Sequence, residues 1–359
     1  MIPAAQPLIG DEERSAVDRV LRSGMIAGGP EVAVFEQEFG SQVAGGRTCV
    51  AVSSGTAGLH LGLLAAGVGP GDEVILPSFT FAATANSVAL TGATPVFADI
   101  EPGQFCLDAD AVEAAVTEHT VGIMPVHLYG HPADMTRLGA VADRHGLAIY
   151  EDAAQAHGAQ WDGRPVGTFG TFGMFSLYPT KNMTSGVGGM VSCLGAHLAR
   201  MVTLLRNQGM DRRYENEVIG FNARMTDVHA AIGRAQLAKL TGWTQQRQHN
   251  AKFLDTNLSG VVVPPVADGA VHVYHQYTIR VPEDRDGFAR ALADEHGVGT
   301  GIYYPIPCHR LPSFGLTLDL PQTGRAAREV LSLPVHPALS ADELAAVADA
   351  VNVVARAGA

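Results

Sequence analysis

The sequence predicts an α/β fold: a three-layer α/β/α large domain around a mostly parallel, mixed sheet, then a smaller C-terminal α+β domain. Two observations lead there. Over the first two thirds of the chain, short apolar runs rich in Val and Ile alternate with amphipathic helical segments, as in a sheet covered by helices on both faces. Beyond residue 195 that alternation gives way to long helices and then to a shorter mixture of strand and helix. The 359 residues, 47% hydrophobic and 17% charged, suffice for one large and one small core. We place the division at 245/246, giving units 1–245 and 246–359.

The elements follow in order. Cys49 to Ser53 reads as a strand, and a helical run continues to Ala66. Glu73 to Leu76 is a strand, followed by a helix over Phe81 to Leu90. Pro95 to Asp99 is a strand and Ala109 to Glu118 a helix. Val121 to Val126, the helix Asp134 to His145, and the strand Leu147 to Tyr150 repeat the unit. Thr171 to Phe175 is strand-like, and Met190 to Leu194 is expected to close the sheet. Helices over Gly195 to Asn207 and Thr226 to Ser259 come next; Gly242 leaves the second as one helix or two. Tyr277 to Val281 is a strand, Asp286 to His296 a helix, and a last helix follows Ser340.

Composition excludes several classes. The net charge of −12 is opposite to that of a nucleic-acid-binding surface. The four cysteines, Cys49, Cys106, Cys193 and Cys308, form no CxxC pair and no disulfide framework, which suggests reduced thiols and a cytoplasmic location. No signal peptide and no membrane span are legible. His127 and His131 are four apart, but Gly130 and Pro132 make that stretch a loop, so we expect no metal site. Cys308-His309 lacks a nearby orienting carboxylate and reads as structural.

Four pieces carry chemistry. Ser54-Gly55-Thr56-Ala57 stands at a strand-to-helix turn, where free N–H groups and hydroxyls make an anion cup; a plain helix cap is the simpler reading of that piece alone. Ser176 can add a hydroxyl. Phe81 follows a strand end, where it either packs in the core or offers a flat face to a ring. Asp152 ends the strand Leu147 to Tyr150, and a buried carboxylate there needs a cationic partner. Gln155, one turn on, can bond a ring oxygen. Lys181 follows Tyr178-Pro179-Thr180 and precedes a glycine-rich stretch; a lysine in an apolar pocket has a lowered pKa suited to imine chemistry. Cup, plate, carboxylate and lysine together are what pyridoxal 5'-phosphate requires.

In this order and spacing the motifs resemble the DegT/DnrJ/StrS-type sugar-nucleotide aminotransferases, within the fold-type-I pyridoxal phosphate enzymes. Further matching stretches are Pro77 to Thr84, Val126 to Gly130, Leu205 to Gly209, Gly220 to Asp227 and Tyr304 to His309. The resemblance implies Lys181 as the Schiff-base lysine and Asp152 as partner of the ring nitrogen. It implies Gln155 as partner of the phenolic oxygen, Phe81 as the stacking aromatic, and Gly55, Thr56, Ala57 and Ser176 around the phosphate. Asn222 matches an asparagine that reaches the phosphate of a neighbouring subunit, which implies a homodimer with shared active sites. Tyr304 and His309 match a loop that approaches the sugar or its nucleotide. The implied reaction moves an amino group, with L-glutamate as usual donor, to a keto-sugar on a nucleotide. Alternatives are a sugar dehydratase or deoxygenase relative, a cyclitol acceptor, or a non-catalytic regulator that binds the cofactor. In the dehydrating branch a histidine replaces the lysine, and Lys181 argues against it. Val187 and Ala223 depart from the family pattern, both near the expected substrate space.

Overall fold

The structure, a computed structural model, describes residues 1–357. Two helices precede the first strand, α1 (Asp11–Ser23) and α2 (Pro30–Gln42), and the sequence reading passes over both. Their start signals are local. Asp11, Glu12 and Glu13 fill the first turn of α1, and Gly24 at φ 72° ends it in the left-handed region. Pro30 opens α2 at a position where its missing N–H costs nothing.

Seven strands form one sheet: β1 (Thr48–Val52), β2 (Glu73–Pro77), β3 (Thr94–Ala98), β4 (Thr120–Ile123), β5 (Ala148–Asp152), β6 (Phe172–Ser176) and β7 (Gly189–Cys193). Their order across the sheet is β1-β7-β6-β5-β4-β2-β3. Six pairings join them: β2–β3, β2–β4, β4–β5 and β5–β6 are parallel, while β7 runs antiparallel to β1 and β6. The segment expected to close the sheet therefore lies inside it, and all five of its residues are buried. This arrangement aims the carboxyl ends of β1, β5 and β6 and the amino end of β7 at the same edge.

Between the strands run α3 (Gly55–Ala65), α4 (Ala82–Ala89), α5 (Ala109–Ala115), α6 (Met135–His145) and, after β7, α7 (Gly195–Arg206). Alternate residues of β1 show the two covered faces. Val50 and Val52 pack with Leu59, Leu76, Phe172 and Val202. Cys49 and Ala51 pack with Phe35, Phe39, Phe175 and Met190.

The helix α8 (Asp227–Asn257) is single and continuous. Gly242 is exposed with open space where a side chain would be, so it weakens the helix by entropy alone, and both halves are held by packing. Ala230, Leu237 and Leu240 join the core under α2, while Ala251 and Leu254 join a separate core. That second core contains β8 (Tyr277–Arg280), α9 (Arg285–Asp294), β9 (Val330–Leu333) and α11 (Ala341–Ala357). The strands β8 and β9 pair antiparallel. A further helix, α10 (Pro321–Glu329), precedes β9 and sends Ala326 and Ala327 to a cluster beside β4 and α6. The 245/246 division falls within α8, and we keep it as our reading of the two units.

Candidate active site

The strand ends meet at a cavity of about 550 Å³, within the usual size of a small-molecule site. Ser54 caps α3 with extended backbone, and its Oγ accepts a hydrogen bond from the Ala57 N–H at 3.1 Å. That bond occupies the Ala57 N–H, and Ala57 is absent from the cavity wall, whereas Ser54, Gly55 and Thr56 line it. Gly55 is dictated by close approach: a Cβ there would lie 3.1 Å from the Ser176 Cβ and 3.2 Å from the Met174 Sδ. The start of α3 thus sits against the Ser176 hydroxyl at the end of β6, a polar corner with helix N–H groups turned to it.

Asp152 ends β5 in the cavity wall, 5% exposed. Its Oδ2 accepts from the Thr84 hydroxyl at 2.8 Å and its Oδ1 from the Ala154 N–H at 3.1 Å. Burial pushes this carboxyl above its ordinary range, opposed by those two donors and by the charge of Lys181. Among the described residues no arginine or lysine forms an ion pair with it.

Lys181 lines the same cavity. Burial pulls its amine down to about 8, with the charge of Asp152 acting in the opposite sense. The chain holds three lysines, Lys181, Lys239 and Lys252; Lys239 is paired with Glu12 and Glu13, Lys252 is exposed, and neither lines the cavity. Its loop is pinned by Thr184, whose hydroxyl donates to the Leu177 carbonyl at 2.9 Å, and by Asn182, whose amide donates to the Val273 carbonyl at 3.0 Å.

Phe81 immediately precedes α4, is 61% exposed and lines the cavity. Such a ring is not part of the core, which leaves its face free for a ligand ring. Gln155 and Tyr304 also line the cavity and bond each other, Gln155 Nε2 donating to the Tyr304 hydroxyl at 2.8 Å.

Other expected residues lie elsewhere. His309 is fully buried, its Nδ1 bonded to the Ser78 hydroxyl at 2.6 Å, and it does not reach the cavity; the turn Cys308–Arg310 folds it inward. Asn222 is exposed and does not line the cavity of its own chain. Val187 lies in the cavity wall, but Ala223 is buried in the sheet core and not in substrate space, because its backbone bonds Ser53 and Arg206. Cys308 donates to the Thr80 carbonyl at 3.2 Å, and burial pushes its thiol up to about 11.

The two loop histidines are structural. The Ala133 N–H donates to His127 Nδ1 at 3.0 Å, so Nε2 carries the proton and meets Glu151 at 3.1 Å. His131 is bonded through both nitrogens, to the Pro132 carbonyl and the Ala267 N–H. Glu151, beside Asp152, is occupied by the N–H groups of Gly167, Phe169 and Gly170. His157 is buried between Phe39 and Phe175, at ring distances of 6.3 and 5.5 Å.

Sequence reasoning missed Thr84 and His275. Thr84 had a signal, a hydroxyl three residues after Phe81 at a helix start. His275 had none, since it reaches the cavity from the far side of the chain, held at Nδ1 by the Asn182 carbonyl oxygen at 3.3 Å.

Residues 7–352 match the DegT/DnrJ/EryC1/StrS aminotransferase family. A pleiotropic regulatory protein of Geobacillus stearothermophilus is 43% identical, over 91% of this chain and 90% of its own. A dTDP-3-amino-3,4,6-trideoxy-alpha-D-glucose transaminase of Streptomyces venezuelae is 41% identical, over 98% and 94%. Among solved structures, S. venezuelae DesV in complex with a ketimine intermediate superposes with a TM-score of 0.93 at 39% identity, covering 98% of this chain and 99% of that one. NtdA of Bacillus subtilis, with bound cofactor PMP, superposes with a TM-score of 0.90 at 32% identity, covering 96% and 82%. The chain belongs to the DegT/DnrJ/EryC1/StrS aminotransferase family.

Proposed function

We propose that this family member uses pyridoxal 5'-phosphate to transfer an amino group from an amino acid, in our reading L-glutamate, to a keto-sugar carried on a nucleoside diphosphate. The observation that carries the reading is the meeting of Lys181, Asp152, Phe81, Ser176 and the start of α3 in one cavity. The donor set fits the cofactor: a buried carboxylate without a cation, a lysine with a lowered pKa, and a polar corner for a phosphate. The sugar reading is supported by the transaminase of S. venezuelae, whose described substrate class is a dTDP-sugar.

When bound, pyridoxal phosphate supplies an aldehyde and a ring that accepts the electron pair left by a departing proton. The chain's own residues do the rest. Ser54, Gly55, Thr56 and Ser176 would hold the phosphate, and Phe81 would offer its face to the ring. Asp152, kept in place by Thr84 and Ala154, holds the proton of the ring nitrogen. Lys181 Nζ would hold the cofactor covalently at rest and, when freed, would move a proton at the substrate carbon. Asn222 is proposed to complete the phosphate site of a neighbouring subunit in a homodimer. The buried cysteines are unpaired, and no described helix is long and apolar enough to cross a membrane; a cytoplasmic location is our reading of the cysteines.

One experiment tests the reading. The protein is loaded with pyridoxamine phosphate and offered a panel of keto-sugar nucleotides, and the visible band of the pyridoxal form is followed. Return of the band with a nucleotide-linked keto-sugar is expected. Return with 2-oxo acids alone, and with no sugar in the panel, would remove the sugar assignment.

A further inference from the structure

At Gln155 and Tyr304 the cavity wall offers hydrogen-bond donors. The order of the bonds can be worked out from one end. The Tyr129 N–H lies 2.7 Å from Gln155 Oε1, and a buried backbone N–H requires an acceptor. This fixes which end of the carboxamide is oxygen. Nε2 therefore faces Tyr304 and donates to its hydroxyl at 2.8 Å. An amide NH2 cannot accept, so the tyrosine's own proton must go elsewhere. Among the described residues that hydroxyl has no other bonding partner, and both side chains line the cavity.

The ring has little freedom to turn away. Phe79 meets it edge-on at 5.7 Å, and Tyr129 stacks at 6.4 Å with planes 11° apart. Tyr304 and Tyr129 both hold left-handed backbone, φ 58° and 57°, a conformation that persists in such residues only where surrounding contacts enforce it. Burial pushes the Tyr304 hydroxyl far above the ordinary tyrosine range, opposed by the Gln155 hydrogen bond and reinforced by Asp152, Tyr303 and Cys308. It therefore stays protonated at physiological pH.

We infer that Tyr304 is a second hydrogen-bond donor, beside Gln155, to the phenolic oxygen of bound pyridoxal phosphate, and not a sugar contact. The inference rests on the proposed function. Two donors on that oxygen stabilise its anionic form and lower the pH at which the bound cofactor loses its imine proton.

The test is a pH titration of the cofactor's visible band in wild type and Tyr304→Phe, with the dissociation constants of cofactor and keto-sugar nucleotide measured alongside. A hydrogen bond to a charged oxygen corresponds to roughly one to two pH units. Tyr304→Phe is expected to raise the band's midpoint by about that much and to weaken cofactor binding roughly tenfold. Should that variant fold poorly, Gln155→Glu gives a second reading. Its carboxylate would draw the tyrosine's proton to itself and remove both donors, and the midpoint should again rise. An unchanged midpoint in a well-folded variant, or a loss confined to sugar binding, overturns the inference. A wild type that shows no band at all would instead remove the proposed function.

Discussion

At the scale of single residues the proposed chemistry rests on two groups whose environments push them toward neutrality: Asp152 upward and Lys181 down to about 8. The neutral amine is the nucleophile. Cofactor uptake by the apoprotein should therefore accelerate as pH rises through about 8 and level off above it; stopped-flow absorbance reads this directly, and a rate still climbing at pH 10 would place the amine in water. Asp152→Asn should keep most cofactor binding and slow the amino-donor half-reaction by orders of magnitude, because the ring nitrogen loses its proton. Thr84→Val removes one of the two donors to that carboxylate. Cofactor affinity should fall roughly tenfold, measurable by equilibrium dialysis. The shared place of Lys181, Asp152 and Gln155 in the cavity wall was legible because each stands in a local motif at or shortly after a strand end. Thr84 was visible as a residue and not as a partner, since its role depends on how α4 packs beside β5.

At the scale of elements, the helices are placed by buried polar contacts as well as by apolar faces. Asp227, at the first turn of α8, is fully buried and accepts the N–H groups of Gly29 at 2.7 Å and Glu31 at 2.9 Å. It thereby caps α2 from another helix. Asp227→Ala leaves two donors at the start of α2 unsatisfied and should cost about 2–3 kcal/mol, lowering the thermal midpoint by several degrees; an unchanged melting curve would show the contact to be dispensable. The parallel strands were legible from their apolar runs and the helices between them from period and caps, whereas α1, α2 and α10 were passed over. The position of β7 was not. Its sequence, Gly189 to Cys193, says that it is buried, and only the pairing of its two edges says that it lies between β1 and β6. Likewise Gly242 left α8 undecided, because the packing that keeps it whole comes from α1, α2 and the second core.

At the scale of the whole molecule, the family pattern predicted a large sheet domain, and the sheet with its two covered faces is what the chain forms. The fate of residues far along the chain was less legible. Tyr304 and His309 are five apart, yet one lines the cavity and the other is buried away from it in the turn Cys308–Arg310. The exposed Phe81, Tyr178 and Val187 rim the cavity, and a neighbouring subunit that supplies Asn222 would cover them. A homodimer is expected in sedimentation, and mixing inactive Lys181→Ala with an Asn222→Ala variant should restore some activity through hybrid dimers. A monomer of full activity would end the shared-site proposal.

The central claim is a covalent one, and reduction tests it most directly. Protein incubated with pyridoxal phosphate is treated with borohydride, digested and mapped by mass spectrometry. The cofactor's mass is expected on the peptide containing Lys181, with Lys239 and Lys252 unmodified. A label on either of those two, or none anywhere, would contradict the account.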